Sequence, residues 1–245
     1  MTFGTYEQDC DADNGMESIK WFILDVEDGR ATLLSVHLLD CQRYHPEEAD
    51  VTWEDCALRA WLNDDFLNAA FTKAEQEYIA VTELINGDTP AFGTQGGNDT
   101  SDRIWLFSLE DLEKYFQISL EECMNVHENQ SIFDYVDYFY DQDHRLMAKP
   151  TAYAIQQGCD FLDVDGSIAE IEGGMDSGPM MEEYLINLAD LKRCRYADGC
   201  GFWWLRSSGA KQIYASSISD CGSISFNGIF VNAKRGVCSA LTVTY

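Results

Sequence analysis

Positive charge is what this 245-residue chain has least of: 16 lysines and arginines stand against 43 aspartates and glutamates, a formal net charge of −27. A surface of that sign repels phosphate backbones and anionic headgroups, so nucleic acid and membrane surfaces are excluded as expected partners. The charge favours solubility, and the partner it would complement is cationic. Histidine is almost as scarce: His37, His45, His127 and His144 are scattered and make no His-x-x-x-His spacing of the metal-binding kind. Nine cysteines include no Cys-x-x-Cys pair, which removes zinc-ribbon and thioredoxin-like chemistry. They read as reduced, mostly buried thiols, a bridged pair being the alternative in an oxidising compartment. The Gly-x-Ser-x-Gly elbow, the Walker loop and the dinucleotide fingerprint are all missing. Acidic pairs are so abundant that none marks a glycosidase couple. No apolar run is long enough to span a bilayer, and Met1 to Glu7 has neither a basic n-region nor an apolar h-region. The expectation is a cytoplasmic chain without membrane insertion, metal or cofactor, with surface display compatible only with a longer chain.

What is present is a core. The hydrophobic fraction is 46% with 13% aromatics, enough for one folded domain over residues 1–245. Phe3 to Asp9 reads as a strand, and Trp21–Val26 and Ala31–Val36 flank Asp28-Gly29, a hairpin signal. Both runs are apolar nearly throughout and are expected as central strands. Asp9, Asp11 and Asp13 imitate the start of an EF-hand, but Asn14 stands where the loop needs glycine and Lys20 where it needs glutamate, so an acidic turn is expected. Thr52 and Asp55 form a capping box ahead of Leu58, Trp61, Leu62, Phe66 and Ala69, a helix of about four turns. Thr72 and Glu75 repeat the box, and Ser108 with Asp111 starts another helix. Asn86 to Asp102 is a long turn-rich loop in which Gly96-Gly97-Asn98-Asp99-Thr100 is either packed structure or a binding cradle. Lys149-Pro150 opens a helix with proline in its first turn, ending at Gly158. Two insertions are expected, near 117–147 and 160–195. The first carries Phe133, Tyr135, Tyr138, Phe139 and Tyr140; the second carries Asp163 and Asp165, then helical spacing in Met181, Leu185, Leu188 and Leu191.

Residues 202–245 organise the rest. Trp203-Trp204-Leu205-Arg206-Ser207-Ser208-Gly209 ends a strand in a turn. Short β-prone runs follow, separated by Asp220-Cys221-Gly222, by Asn227-Gly228 and by Ala233-Lys234-Arg235-Gly236. Three or four antiparallel strands joined by tight turns are expected.

Several motifs together carry a resemblance: Phe3-Gly4-Thr5-Tyr6-Glu7-Gln8-Asp9, Trp21 to Val26, Val51-Thr52-Trp53 with Arg59-Ala60-Trp61-Leu62-Asn63, Gly96 to Thr100, Lys149 to Ala154, and Trp203 to Ser207. The chain resembles a bacterial domain of unknown function common in gut bacteria, similar to the C-type lectin-like fold shared by formylglycine-generating enzymes and the variable proteins of diversity-generating retroelements. The resemblance implies an α+β, C-type lectin-like fold with antiparallel sheets, flanking helices and the two insertions. It implies a non-catalytic protein whose segment 202–245 presents a diversified face to a protein or glycan ligand. The ligand-facing positions would be Lys211, Gln212, Ile213, Tyr214, Ser216, Ile218, Ser223, Ser225, Phe226, Asn227, Ile229, Phe230 and Asn232, with Tyr214, Phe226 and Phe230 as aromatic anchors. Trp203, Trp204, Leu205, Arg206 and Gly236 would form the frame. The chain departs from the pattern at Cys238-Ser239, where the family has Arg-Pro, and at Ser208, where it often has proline. Two other readings stay open: an oxidoreductase using Cys221 and Cys238 with copper, as in formylglycine-generating enzymes, and a calcium-assisted glycan binder resting on Asp163, Asp165 and the Asn98-Asp99 loop.

Overall fold

A computed structural model describes residues 1–129, 145–161 and 199–245. The aromatic run 133–140, Asp163, Asp165, Cys194 and the helical spacing at 180–191 lie outside the described residues. Among the described residues the architecture is mixed α+β, with two five-stranded sheets and short helices around one contiguous apolar core.

The first sheet has the order β1-β2-β3-β14-β8, with β1 Thr2–Tyr6, β2 Glu17–Glu27, β3 Arg30–Ser35, β8 Ile104–Trp105 and β14 Ala240–Thr244. Asp28 and Gly29 both adopt positive φ (50° and 74°), the conformation a two-residue type I′ turn demands, so the Asp-Gly signal sets this hairpin. The turn between β1 and β2 is the expected acidic one: Asp9 accepts from the Asp11 amide and from Asn14, and Asp11 accepts from the Asp13 amide. The expectation of two central apolar strands needs correction. Both strands lie inside the sheet order, but β3 buries Leu33 and Leu34, whereas β2 turns Phe22, Ile23 and Val26 to solvent, on either side of an irregularity between Ile23 and Asp25.

The second sheet has the order β12-β11-β10-β13-β5: β5 Asp40–Arg43, β10 Trp203–Ser208, β11 Tyr214–Ile218, β12 Ile224–Phe230 and β13 Lys234–Val237. β10 is antiparallel to β11 and parallel to β13. Asn227-Gly228 is not a hairpin turn. It lies inside β12, where the register slips by two residues between the Ala215–Ile229 and Ser217–Ser225 pairs. Gly228 has φ 71°, and a Cβ there would meet the Ala215 carbonyl oxygen at 2.5 Å. The positive φ that suits an Asn-Gly turn serves a β-bulge here, and the hairpin turn is Ser219–Ser223.

The helix after Thr52 begins late. Trp53 is fully buried and donates from Nε1 to Asp102 Oδ2 at 2.9 Å, which commits residues 52–55 to a turn. α1 (Ala57–Trp61) is capped instead by Cys56, whose Sγ accepts from the Arg59 amide at 3.3 Å. A π-helical turn, Leu62–Phe66, separates α1 from α2 (Leu67–Ala70). That wider turn keeps Leu58, Leu62 and Phe66 inward at four-residue spacing, then moves the apolar face onto Leu67 and Ala70 and leaves Ala69 exposed.

The boxes at Thr72–Glu75 and Ser108–Asp111 cap α3 (Lys73–Gln76) and α4 (Leu109–Phe116) as expected. Leu120–Asn129 forms α5. Thr151, rather than a first-turn proline, caps the helix Ala152–Gln156; Pro150 precedes the cap, in β9 (Lys149–Pro150), paired with β4 (His37–Leu38). Gly158 follows that helix at φ 97°.

Candidate functional site: a framed sheet face and a neighbouring cavity

All six residues of β10 are buried, so its polar groups must find partners inside the protein. Trp203 Nε1 donates to the Leu146 carbonyl at 3.0 Å and Trp204 Nε1 to that of Gln42 at 2.9 Å. Arg206 donates to Asn86 Oδ1 (3.1 Å), to the Leu106 and Ile85 carbonyls (3.0 and 3.2 Å) and to the Asp111 carboxylate, and its guanidinium lies 5.8 Å from the Trp105 ring centre. One side chain thus fastens β10 to the 85–107 segment and to α4. Gly236 is a close approach: a Cβ would lie 2.4 Å from Leu38 Cδ1. Trp203, Trp204, Leu205, Arg206 and Gly236 are therefore interior, as a frame should be. The drifted position Cys238-Ser239 is also interior. Ser35 Oγ accepts from the Ser239 amide at 3.1 Å and sits 3.6 Å from Cys238 Sγ, a neutral pocket unsuited to an arginine.

The thirteen expected ligand-facing residues divide. Ser216, Ile218 and Phe226 are buried, which corrects their assignment. Ser216 Oγ donates to the Ser208 carbonyl at 2.9 Å, and Ile218 and Phe226 join the core. Ser216 and Ile218 are buried because β11 is covered on both sides, and Phe226 because its side of β12 faces the core. The other ten retain exposure to different degrees. Lys211, Asn227 and Phe230 are exposed; Gln212, Ile213, Tyr214, Ser223, Ser225, Ile229 and Asn232 are half-buried. Tyr214 and Phe230 are cross-strand partners whose rings meet at 4.8 Å and 75°. β12 is the edge of its sheet.

Chemistry on the other expected residues is modest. Burial pushes the Cys238 thiol up to about 12, while Cys221 sits in the Ser219–Ser223 turn with Sγ 3.1 Å from Ser219 Oγ. Cys41, Cys56, Cys123, Cys159, Cys200 and Cys238 are buried, as the composition suggested. The Asn98-Asp99 loop is occupied by internal bonds: Asp99 accepts from the Asn86 amide and Asn98 bonds Glu54. Glu7, Asp9 and Glu17 converge at the first turn, yet Glu7 and Glu17 each accept a backbone amide at 2.7 Å. Asp102 is a buried anchor, accepting from Trp53, Arg59 and Thr100.

Sequence reasoning missed one feature. A cavity of about 850 Å³ opens between the β2–β3 hairpin, the strand Thr82–Leu84 (β6) and the start of α4. Asp25, Arg30, Trp105, Glu110 and Tyr115 are among its walls. These residues come from segments 80 positions apart, with no local spacing to unite them, so only the pairing of β14 with both β3 and β8 reveals the site.

No curated protein and no solved structure gives a significant match to the chain. Residues 28–245, which hold both sheets apart from β1 and β2, match the family described as a domain of unknown function, DUF6273, and the chain belongs to that family.

Proposed function

We propose that the protein is a non-catalytic binding protein that meets a protein or glycan ligand with the β11–β12 face, on a scaffold of C-type lectin-like type. The observation that carries this reading is the Tyr214–Phe230 ring pair, which joins half-buried Tyr214 of β11 to exposed Phe230 of the edge strand β12, set over a β10 frame held by buried tryptophans and Arg206. Aromatic side chains supply contact area at low entropy cost. Exposed positions on a rigid sheet accept exchange, because surface substitutions usually change stability by less than about 0.5 kcal/mol. The same division supports a diversified face of the retroelement type, with variable positions reduced to the ten that retain exposure.

Two experiments test the two parts. Glycan and peptide arrays probed with the wild type and with a Tyr214→Ala, Phe230→Ala double variant should show signals that the variant loses while its unfolding midpoint stays put. Equal signals from both proteins remove the face from the binding site. Around the gene, diversification predicts a near-identical template repeat differing at adenines, beside a reverse transcriptase gene. Their absence leaves a binding face of fixed sequence.

A further inference from the structure

We propose that the cavity between the β2–β3 hairpin and α4 binds an alkylammonium or guanidinium group that carries a hydrogen-bond acceptor a few atoms away. A lysine or arginine residue within a peptide has that chemistry, and so does an amino sugar. At about 850 Å³ the cavity falls in the size range of small-ligand sites, roughly 300–1,000 Å³.

Its carboxylates fall into two sets. Asp111 is committed to Arg206 and to the Ser108 amide, and Glu83 accepts from Ser101 Oγ at 2.7 Å. Asp25, Glu27, Asp28 and Glu110 also line the cavity, and no side-chain hydrogen bond or ion pair engages them among the described residues. Arg30 and Lys114 are the cations left to offset these four. Low-dielectric walls focus the resulting negative potential on the cavity. Lys114 is already engaged: its Nζ donates to the Tyr115 hydroxyl at 3.0 Å and lies 4.6 Å from that ring centre, and its proton is held more tightly than usual chiefly by this hydrogen bond, with Asp25 and Asp111 adding a smaller effect.

Carboxylates at a surface are by themselves only a solvated patch. Trp105 distinguishes this place. It lines the cavity, is 2% exposed, and its Nε1 is buried with no acceptor. A buried indole N–H normally finds a partner, and the other buried tryptophans among the described residues, Trp21, Trp53, Trp203 and Trp204, all do so. A ligand that brings a cation to the free carboxylates and an acceptor to this N–H meets both demands. A phosphate or carboxylate ligand has the wrong sign, and a neutral glycan leaves the carboxylates without a counter-charge.

The test is calorimetric titration of the full chain with acetyl-Gly-Lys-Gly-amide, the same peptide with norleucine, n-butylamine, glucosamine and glucose. Saturable binding of the lysine peptide is expected, weakening with salt, with the norleucine peptide at least about tenfold weaker, as loss of a charge-assisted contact implies. Asp25→Asn and Glu110→Gln should each lower affinity by roughly two- to fivefold, the scale of partly exposed ion pairs. Trp105→Phe should weaken the lysine peptide and leave butylamine, which has no acceptor, unchanged; its unfolding midpoint checks that the fold is kept. Glucosamine binding tighter than the peptide assigns the site to an amino sugar, and the reverse order assigns it to a basic peptide. The Tyr214→Ala, Phe230→Ala variant should bind as the wild type does, which separates this site from the β11–β12 face. Equal binding of the lysine and norleucine peptides, equal binding of glucosamine and glucose, or no saturable heat at millimolar amine would overturn the proposal.

Discussion

Replacing Arg206 by methionine keeps the length of the side chain and removes its donors, and four acceptors then lose a partner at once: Asp111, Asn86 Oδ1 and the carbonyls of Leu106 and Ile85. Breaking a buried ion pair from one side typically costs about 3–5 kcal/mol, because the remaining charge is stranded. The Asp111 side chain is 17% exposed against 5% for Arg206, so water reaches the stranded carboxylate and the lower end of that range is expected. Asp111 also keeps its bond to the Ser108 amide, which moderates the loss further. Against a total stability of about 5–15 kcal/mol for a folded domain, a loss near 3 kcal/mol is a large share. Urea unfolding followed by tryptophan fluorescence should show a lower midpoint with an unchanged slope. Asp111→Asn should cost less, and the double variant should reveal a coupling of roughly 1–3 kcal/mol between the two sites. A loss below about 1 kcal/mol for Arg206→Met, or strict additivity with Asp111→Asn, would refute the view that this pair ties β10 to α4.

Two more outcomes follow from backbone and thiol chemistry. Gly228→Ala places a Cβ 2.5 Å from the Ala215 carbonyl at φ 71°, so it should lower the thermal midpoint by the equivalent of about 1–3 kcal/mol; a neutral effect would show that the bulge can relax. Burial pushes the Cys56 and Cys238 thiols up to about 12, against about 8.5 in an unfolded chain. The folded state therefore holds protons that the unfolded state releases. This contribution to stability is complete below about pH 8.5 and is lost as pH climbs towards 12, reaching roughly 2 kcal/mol per thiol by pH 10. Denaturation midpoints at pH 7, 9 and 10 should fall accordingly, and Cys56→Ala with Cys238→Ala should flatten the profile.

Local chemistry made much of the fold legible. Asp28-Gly29, Thr72–Glu75 and Ser108–Asp111 each act within three residues, and the structure uses each as its spacing suggests. Legibility failed where a distant partner decided the outcome. Thr52–Asp55 has the letters of a helix start, but Trp53 is claimed by Asp102, 49 positions away. Asn227-Gly228 has the letters of a hairpin, but pairing with Ala215 turns it into a bulge. Of the candidate face, Phe230 is exposed and Tyr214 half-buried, while Ser216, Ile218 and Phe226 are buried: alternation along β11 gives no sign that both of its sides are covered, and nothing local marks Phe226 of β12 as a core residue. The cavity left no trace in sequence, since its charged wall residues taken alone look like ordinary surface and Trp105 looks like ordinary core.

The placement of β14 bears on how the protein is made. Residues 240–244 leave the ribosome after every other described strand, yet they sit between β3 and β8 in the first sheet. Until they emerge, β3 presents an unpaired edge, and such edges invite pairing with other chains. The β1–β3 meander therefore waits for its neighbour until residues 240–244 have followed. β13, which joins β10 to β5 in the second sheet, arrives only a few residues earlier. Both sheets close almost together once β13 and β14 follow, so a nascent chain stalled before residue 234 should be open to proteases throughout rather than half folded.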